Sequence, residues 1–334
     1  MKQQQAKLLF HFLGLVFGII ILFILVRLIG IREFLGLLQQ LSYLTIAGAV
    51  AVYAVSWYFR TWRLGVMTKA MGGHIRFFDL FKLHISGYAL NVVLPGKLGD
   101  VATVGYLKLF GMTGIRAVAL ILQTRILDLF AINTLLVLFW IGFAPGSAPA
   151  WFGIFIMISF AVSSAPLLLV FDKKRLLSRL FIREFKQRTV KRIAAKMNDL
   201  YLSFHQLVAN KRQLLATVLL STVIWFIEGL TCYIIAISTG AAITLPQCIC
   251  AICVGNISKI VSITPGGVGI YESFMVVTLG MSGIAMKQAV TISILDQLIK
   301  KGFNMLVGLP ATTAIGLNVG KLFRGLTGGS SKAE

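Results

Sequence analysis

Five carboxylates stand inside apolar stretches of this chain: Asp100, Asp128, Glu228, Glu272 and Asp296. A charge at bilayer depth costs roughly 2.5–3.5 kcal/mol even on a lenient insertion scale, so such groups are expensive unless they pair, bind or couple. Arg125 and Asp128 are spaced i, i+3, and Asp296 and Lys300 i, i+4, so each pair can meet on one helix face. They either neutralise each other or act on a charged guest. Asp100 and Glu272 follow two similar turns, Pro95-Gly96-Lys97-Leu98-Gly99 and Pro265-Gly266-Gly267-Val268-Gly269, and each opens the apolar piece after its turn. A carboxylate there can cap free N–H groups, hold a cationic headgroup or take up a proton. The turns offer backbone N–H groups beside the positive end of a helix, which suits an anion such as a lipid phosphate, and Lys97 adds charge. Asn91 and Asn256, in the pieces before the turns, can donate amide hydrogen bonds or pack helices together. With Glu228, these residues are the candidate substrate-binding and translocation set.

No catalytic residues are expected. The chain has no Gly-x-x-x-x-Gly-Lys-Ser/Thr phosphate loop, no Gly-x-Ser-x-Gly elbow and no His-Glu-x-x-His. Its histidines, His11, His74, His84 and His205, are scattered, and its cysteines, Cys232, Cys248, Cys250 and Cys253, lie in apolar segments where a disulfide framework makes no sense. Neither a metal nor a cofactor is implied, and ATP-driven transport by this chain alone is not expected.

The elements that must position these residues follow from hydropathy. Of 334 residues 57% are hydrophobic and 13% charged, which excludes an ordinary soluble domain. The formal net charge of +21 suits nucleic acid or an anionic membrane face, and hydropathy decides for the membrane. A span needs about 20 apolar residues. Six segments qualify, at roughly 8–29, 42–59, 115–141, 151–171, 213–238 and 287–310. The pieces 80–94 and 101–110 are short and meet at the first Pro-Gly turn; 246–263 and 270–280 meet at the second. Pro and Gly stop a helix there, so each pair reads as a broken, re-entrant helical hairpin.

The segment 172–212 holds 12 Lys and Arg against Asp172, Glu184 and Asp199 and is expected to be a cytoplasmic loop. With it inside, both termini are cytoplasmic, as are Arg60 and Arg63, while the uncharged connections 142–150 and 239–245 fall outside. The Pro-Gly-x-x-Gly turns repeat at an offset of 170, and Gly111-Met112-Thr113-Gly114-Ile115 matches Gly280-Met281-Ser282-Gly283-Ile284 at 169. The expectation is one all-α polytopic membrane domain over 1–334. It comprises six full transmembrane helices and two broken hairpins, arranged as inverted repeats at about 42–141 and 213–310. Inverted repeats with discontinuous helices place a substrate site near the midplane.

Asn91, Pro95-Gly96-Lys97-Leu98-Gly99-Asp100, Arg125-x-x-Asp128 and Pro265-Gly266-Gly267-Val268-Gly269-x-x-Glu272 resemble the lysylphosphatidylglycerol synthase transmembrane family, flippase-type members included. The resemblance runs from about 10 to 315. It implies movement of charged lipids between leaflets of the inner (cytoplasmic) membrane. The cytosolic aminoacyl-transferase domain that some members carry is expected to be missing, because nothing after Pro310 could fold alone. Thr103 and Thr124 stand where many relatives have charged residues, so the resemblance leaves the lipid's identity open.

The function expected is therefore a lipid transporter or flippase for a charged, phosphate-bearing lipid, be it aminoacylated, polyprenyl- or glycan-linked. Its partners are membrane lipids, with anionic headgroups at the basic loop, and no nucleic acid. A lipid-synthesising enzyme, cytosolic or membrane-bound, and self-association into a homo-oligomer are both compatible with it. The competing readings are a membrane-embedded enzyme on a lipid-linked substrate and an accessory subunit in lipid or cell-envelope biosynthesis.

Overall fold

The structure is a computed structural model that describes residues 20–27, 30–39, 41–94, 97–143, 150–171, 188–259 and 264–315. These residues form helices and connecting turns, with no strand among them. In chain order the helices are α1 (residues 20–27), α2 (Ile31–Gln39), α3 (Tyr43–Ala70), α4 (Phe77–Val93), α5 (Leu98–Leu109), α6 (Gly114–Phe143), α7 (Ala150–Ser164), α8 (Arg188–Ala209), α9 (Lys211–Ser238), α10 (Leu245–Ser258), α11 (Ile270–Met281) and α12 (Met286–Ala314). A 3₁₀ turn, Ala165–Phe171, extends α7.

Local signals set the ends. Ser42 and Asn210 accept from the backbone of Leu44 and Gln213 at the starts of α3 and α9, which are both 28 residues long. The Thr244 N–H donates to Gln247 at 2.7 Å where α10 begins, with Pro246 in its first turn. Both second half-helices end alike. Past α5, Gly111 at φ 87° lets Met112 N–H return to Leu107; past α11, Gly283 at φ 83° lets Ile284 N–H return to Leu279. The structural counterpart of Gly111 is thus Gly283, three residues beyond the Gly280 with which sequence similarity pairs it.

The six apolar segments all fall on helices where they are described, though the first is seen only over 20–27. Among the described residues, only Lys211–Ser238 is long and apolar enough to cross a membrane by length and composition alone. Two expectations are corrected. Helix α3 runs on to Ala70, so Arg60 and Arg63 are not loop residues but buried core residues, 2% and 0% exposed. The basic segment 172–212 is not a simple loop: it is helical over Arg188–Ala209 and again from Lys211, while 172–187 lie outside the described residues. Apolar residues at helical spacing explain α8, which packs on α6, where the Gln123 amide donates to the Ser203 and Phe204 carbonyls at 3.3 and 3.1 Å.

Packing is reciprocal between the two halves. The equally long α3 and α9 pack along each other. The first half-helix of each broken pair packs on the last long helix of the other half, α4 on α12 and α10 on α6. Small residues permit the closest crossings. A Cβ on Gly87 would collide with Thr103, one on Gly99 with the Gly87 carbonyl, and one on Gly255 would lie 2.7 Å from the Tyr271 ring.

Candidate functional site

Four of the five acids singled out by sequence, all but Glu272, are joined in one chain of ion pairs and hydrogen bonds. It starts at Asp100, third residue of α5, which meets Arg125 of α6 in a two-point contact, Nε to Oδ2 at 2.9 Å and a second nitrogen to Oδ1 at 2.5 Å. Two parallel bonds of this kind fix orientation as well as charge. Asn91 of α4 donates to the same carboxylate at 2.8 Å, so the two half-helices are tied across their break. Arg125 also donates to the Tyr88 hydroxyl at 3.0 Å, and Arg60 of α3 donates to that same oxygen at 3.3 Å.

From Arg60 the chain passes between the halves. Its guanidinium meets Glu228 of α9 at 2.7 Å, and Glu228 meets Lys300 of α12 at 2.9 Å. Lys300 also meets Asp296 at 2.7 Å, as their i, i+4 spacing allows, and Tyr271 of α11 donates to Asp296 at 2.8 Å. A side branch runs from Arg63 to Asp128 at 2.6 Å and to Ser221 at 2.7 Å, and Trp225 donates to Asp128 at 3.0 Å. Asp296, Asp128 and Glu228 are 0%, 4% and 4% exposed, so these charges are viable only because each has its partner in place.

Some sequence-based pairings change. Arg125 faces Asp128 at only 4.0 Å and spends its close bonds on Asp100; the short partner of Asp128 is Arg63. Asp100 and Glu272 are both the third residue of a second half-helix, yet their contacts differ. Glu272 accepts from the Gly269 N–H at 2.6 Å, a capping contact, whereas Asp100 pairs with an arginine. Asn256 donates to the Ile252 carbonyl of its own helix and accepts from Lys259 at 3.2 Å.

The second turn lies against the first half-helix pair. Gly266, Gly267 and Gly269 hold φ of 61°, 71° and 83°, which side-chain-bearing residues rarely adopt. A Cβ on Gly266 would sit 3.6 Å from the Val92 carbonyl oxygen, which places this turn on the end of α4. Lys97 enters α5 from the left-handed region at φ 56° and is exposed. Pro95 and Gly96 lie outside the described residues.

Arg60, Arg63, Tyr88, Ser221, Trp225 and Tyr271 belong to the network but not to the sequence-derived set. Charge balance could have found the arginines: the set's five internal acids faced only Lys97, Arg125 and Lys300, so further buried cations were required.

Among the described residues the fold is all-helical, with paired charges threading its core and helices broken at glycine turns, the general form of a helical membrane protein. The chain matches the lysylphosphatidylglycerol synthase TM region family over residues 11–308, and it belongs to that family. It is a membrane protein. A UPF0104 membrane protein of Pyrococcus horikoshii is 23% identical over 318 residues, covering 89% of this chain and 95% of that protein. The glycosyltransferase AglD of Haloferax volcanii is 20% identical over 341 aligned positions, covering 92% of this chain but only 54% of AglD.

Proposed function

We propose that this protein translocates a charged, phosphate-bearing lipid between leaflets of the cytoplasmic membrane, with both termini and the basic segment 172–212 on the cytoplasmic side. In this reading the halves are inverted repeats of full spans and re-entrant hairpins. The equal lengths of α3 and α9 and the exchanged packing of α4 on α12 and α10 on α6 support that symmetry. The observation that carries the function is the unbroken charged chain from Asp100 to Tyr271, which links both broken-helix pairs across the interface between the halves. Polar groups that span such an interface give a charged headgroup a path through protein and leave the hydrocarbon to its tails. The same contacts can be remade in a second arrangement when the halves move.

The test is reconstitution of purified protein into vesicles containing headgroup-labelled lipid, with the outer leaflet quenched chemically. Faster loss of inner-leaflet label than in empty vesicles, without change in the lipid, is expected; the background rate would refute the proposal. The similarity to a glycosyltransferase favours, as a second reading, a role beside glycosyl transfer to a lipid-linked acceptor. Appearance of a glycosylated lipid in those vesicles on addition of sugar donor would select it.

A further inference from the structure

Lys259 and Lys301 flank the second glycine turn, and neither has a carboxylate within ion-pair distance among the described residues, although every other cation named in the buried network has one. Lys259 caps the end of α10. Its ammonium lies 3.9 Å over the Tyr271 ring and 3.2 Å from Asn256 Oδ1, and its stem would lie 2.8 Å from a Cβ on Gly267. The Lys301 ammonium would lie 3.7 Å from a Cβ on Gly266, on the same turn. Glu272, three residues past the turn's last glycine, is engaged by the Gly269 N–H. Two cations therefore converge on a turn whose glycines let a ligand approach the backbone.

An apolar cavity of about 710 Å³ is lined by residues that neighbour Lys259 and Gly269 in sequence. Ile257 and Ser258, the residues just before Lys259, and Ile270, just after Gly269, line it together with Phe155, Val162 and Phe274 and residues of α6. That volume lies in the range of sites for small organic ligands, and its lining suits hydrocarbon.

We propose that Lys259 and Lys301 form a binding site for the phosphate of an anionic lipid whose chain occupies this cavity. The inference rests on the lipid-handling reading above and adds the location and the chemistry of the ligand. The excess positive charge selects a net-negative headgroup, and the adjoining apolar cavity selects a lipid over free phosphate.

Native mass spectrometry of the full chain in detergent, titrated with phosphatidylglycerol or phosphatidylcholine, tests it. Lys259→Gln with Lys301→Gln is expected to weaken phosphatidylglycerol binding by about tenfold or more and to leave phosphatidylcholine unchanged. The Lys259→Arg, Lys301→Arg pair should restore binding, which separates charge from misfolding. Filling the cavity with Ser163→Phe should weaken phosphatidylglycerol binding with both lysines present. Unchanged binding in the double glutamine variant overturns the site, as does complete displacement of the lipid by inorganic phosphate. If the double glutamine variant binds like the parent while the wild type moves lipid, the site fails and translocation stands. Lysine-dependent binding without lipid movement supports the site and removes translocation.

Discussion

Arg60 and Glu228 meet at 2.7 Å where α3 and α9 cross, and each lies the same number of residues from the start of its 28-residue helix. Trp57 and Trp225 are likewise matched in position, and both rings lie within cation–π reach of the Arg60 guanidinium. The crossing is thus built from equivalent positions that carry opposite charge. The partners are 168 residues apart in sequence, so this contact joins the two halves directly.

Breaking that contact from one side should be costly. Arg60→Met leaves Glu228 buried with only Lys300, and loss of one member of a buried pair costs about 3–5 kcal/mol. Thermal unfolding in detergent should show a clear drop for Arg60→Met and for Glu228→Met, and a double variant less destabilised than the sum of the two. Additive losses would mean that the pair contributes no coupling.

The two turn acids should respond differently to amide substitution. Glu272→Gln keeps an oxygen for the Gly269 N–H and should cost less than about 1 kcal/mol. Asp100→Asn removes the charge that Arg125 meets at two points and should cost about 1–3 kcal/mol, with lipid movement strongly reduced. Parental transport in both variants would make the acids purely structural and move attention to Arg63, Asp128 and Lys300.

Close helix crossings supply a steric test. A side chain at position 255 must displace the Tyr271 ring, so Gly255→Ala should destabilise by about 1–3 kcal/mol and disturb the Tyr271 bond to Asp296. Gly105 faces open space, and Gly105→Ala should be neutral or slightly stabilising. Melting temperatures of the two variants, compared directly, decide whether the crossing is as tight as described.

Orientation is testable by labelling. A single cysteine at Ser178, in a background with Cys232, Cys248, Cys250 and Cys253 replaced, should react with a membrane-impermeant thiol reagent only from the cytoplasmic side. Reaction from outside intact cells would invert the proposed topology.

Helix positions and the two breaks were legible in the sequence because their causes are local. Apolar length sets roughly how far a helix runs, and the Pro-Gly turns mark where the two pieces of each pair part, although α10 already ends at Ser258, short of the expected 263. The Asp296–Lys300 pair was equally legible, since one helix turn separates its members. The tertiary structure alone decided which cation serves which acid. Arg125 had Asp128 on its own helix, yet the packing of α5 on α6 sets Asp100 where two guanidinium nitrogens reach it. The roles of Arg60 and Arg63 were also hidden. A basic residue near the end of an apolar run looks the same whether water or a buried carboxylate awaits it, and only the approach of α9 and α6 distinguishes the two. The same holds for Gly111, whose counterpart is Gly283 rather than Gly280. Similar letters mark a kind of turn, but the geometry of the helix end fixes which glycine makes it.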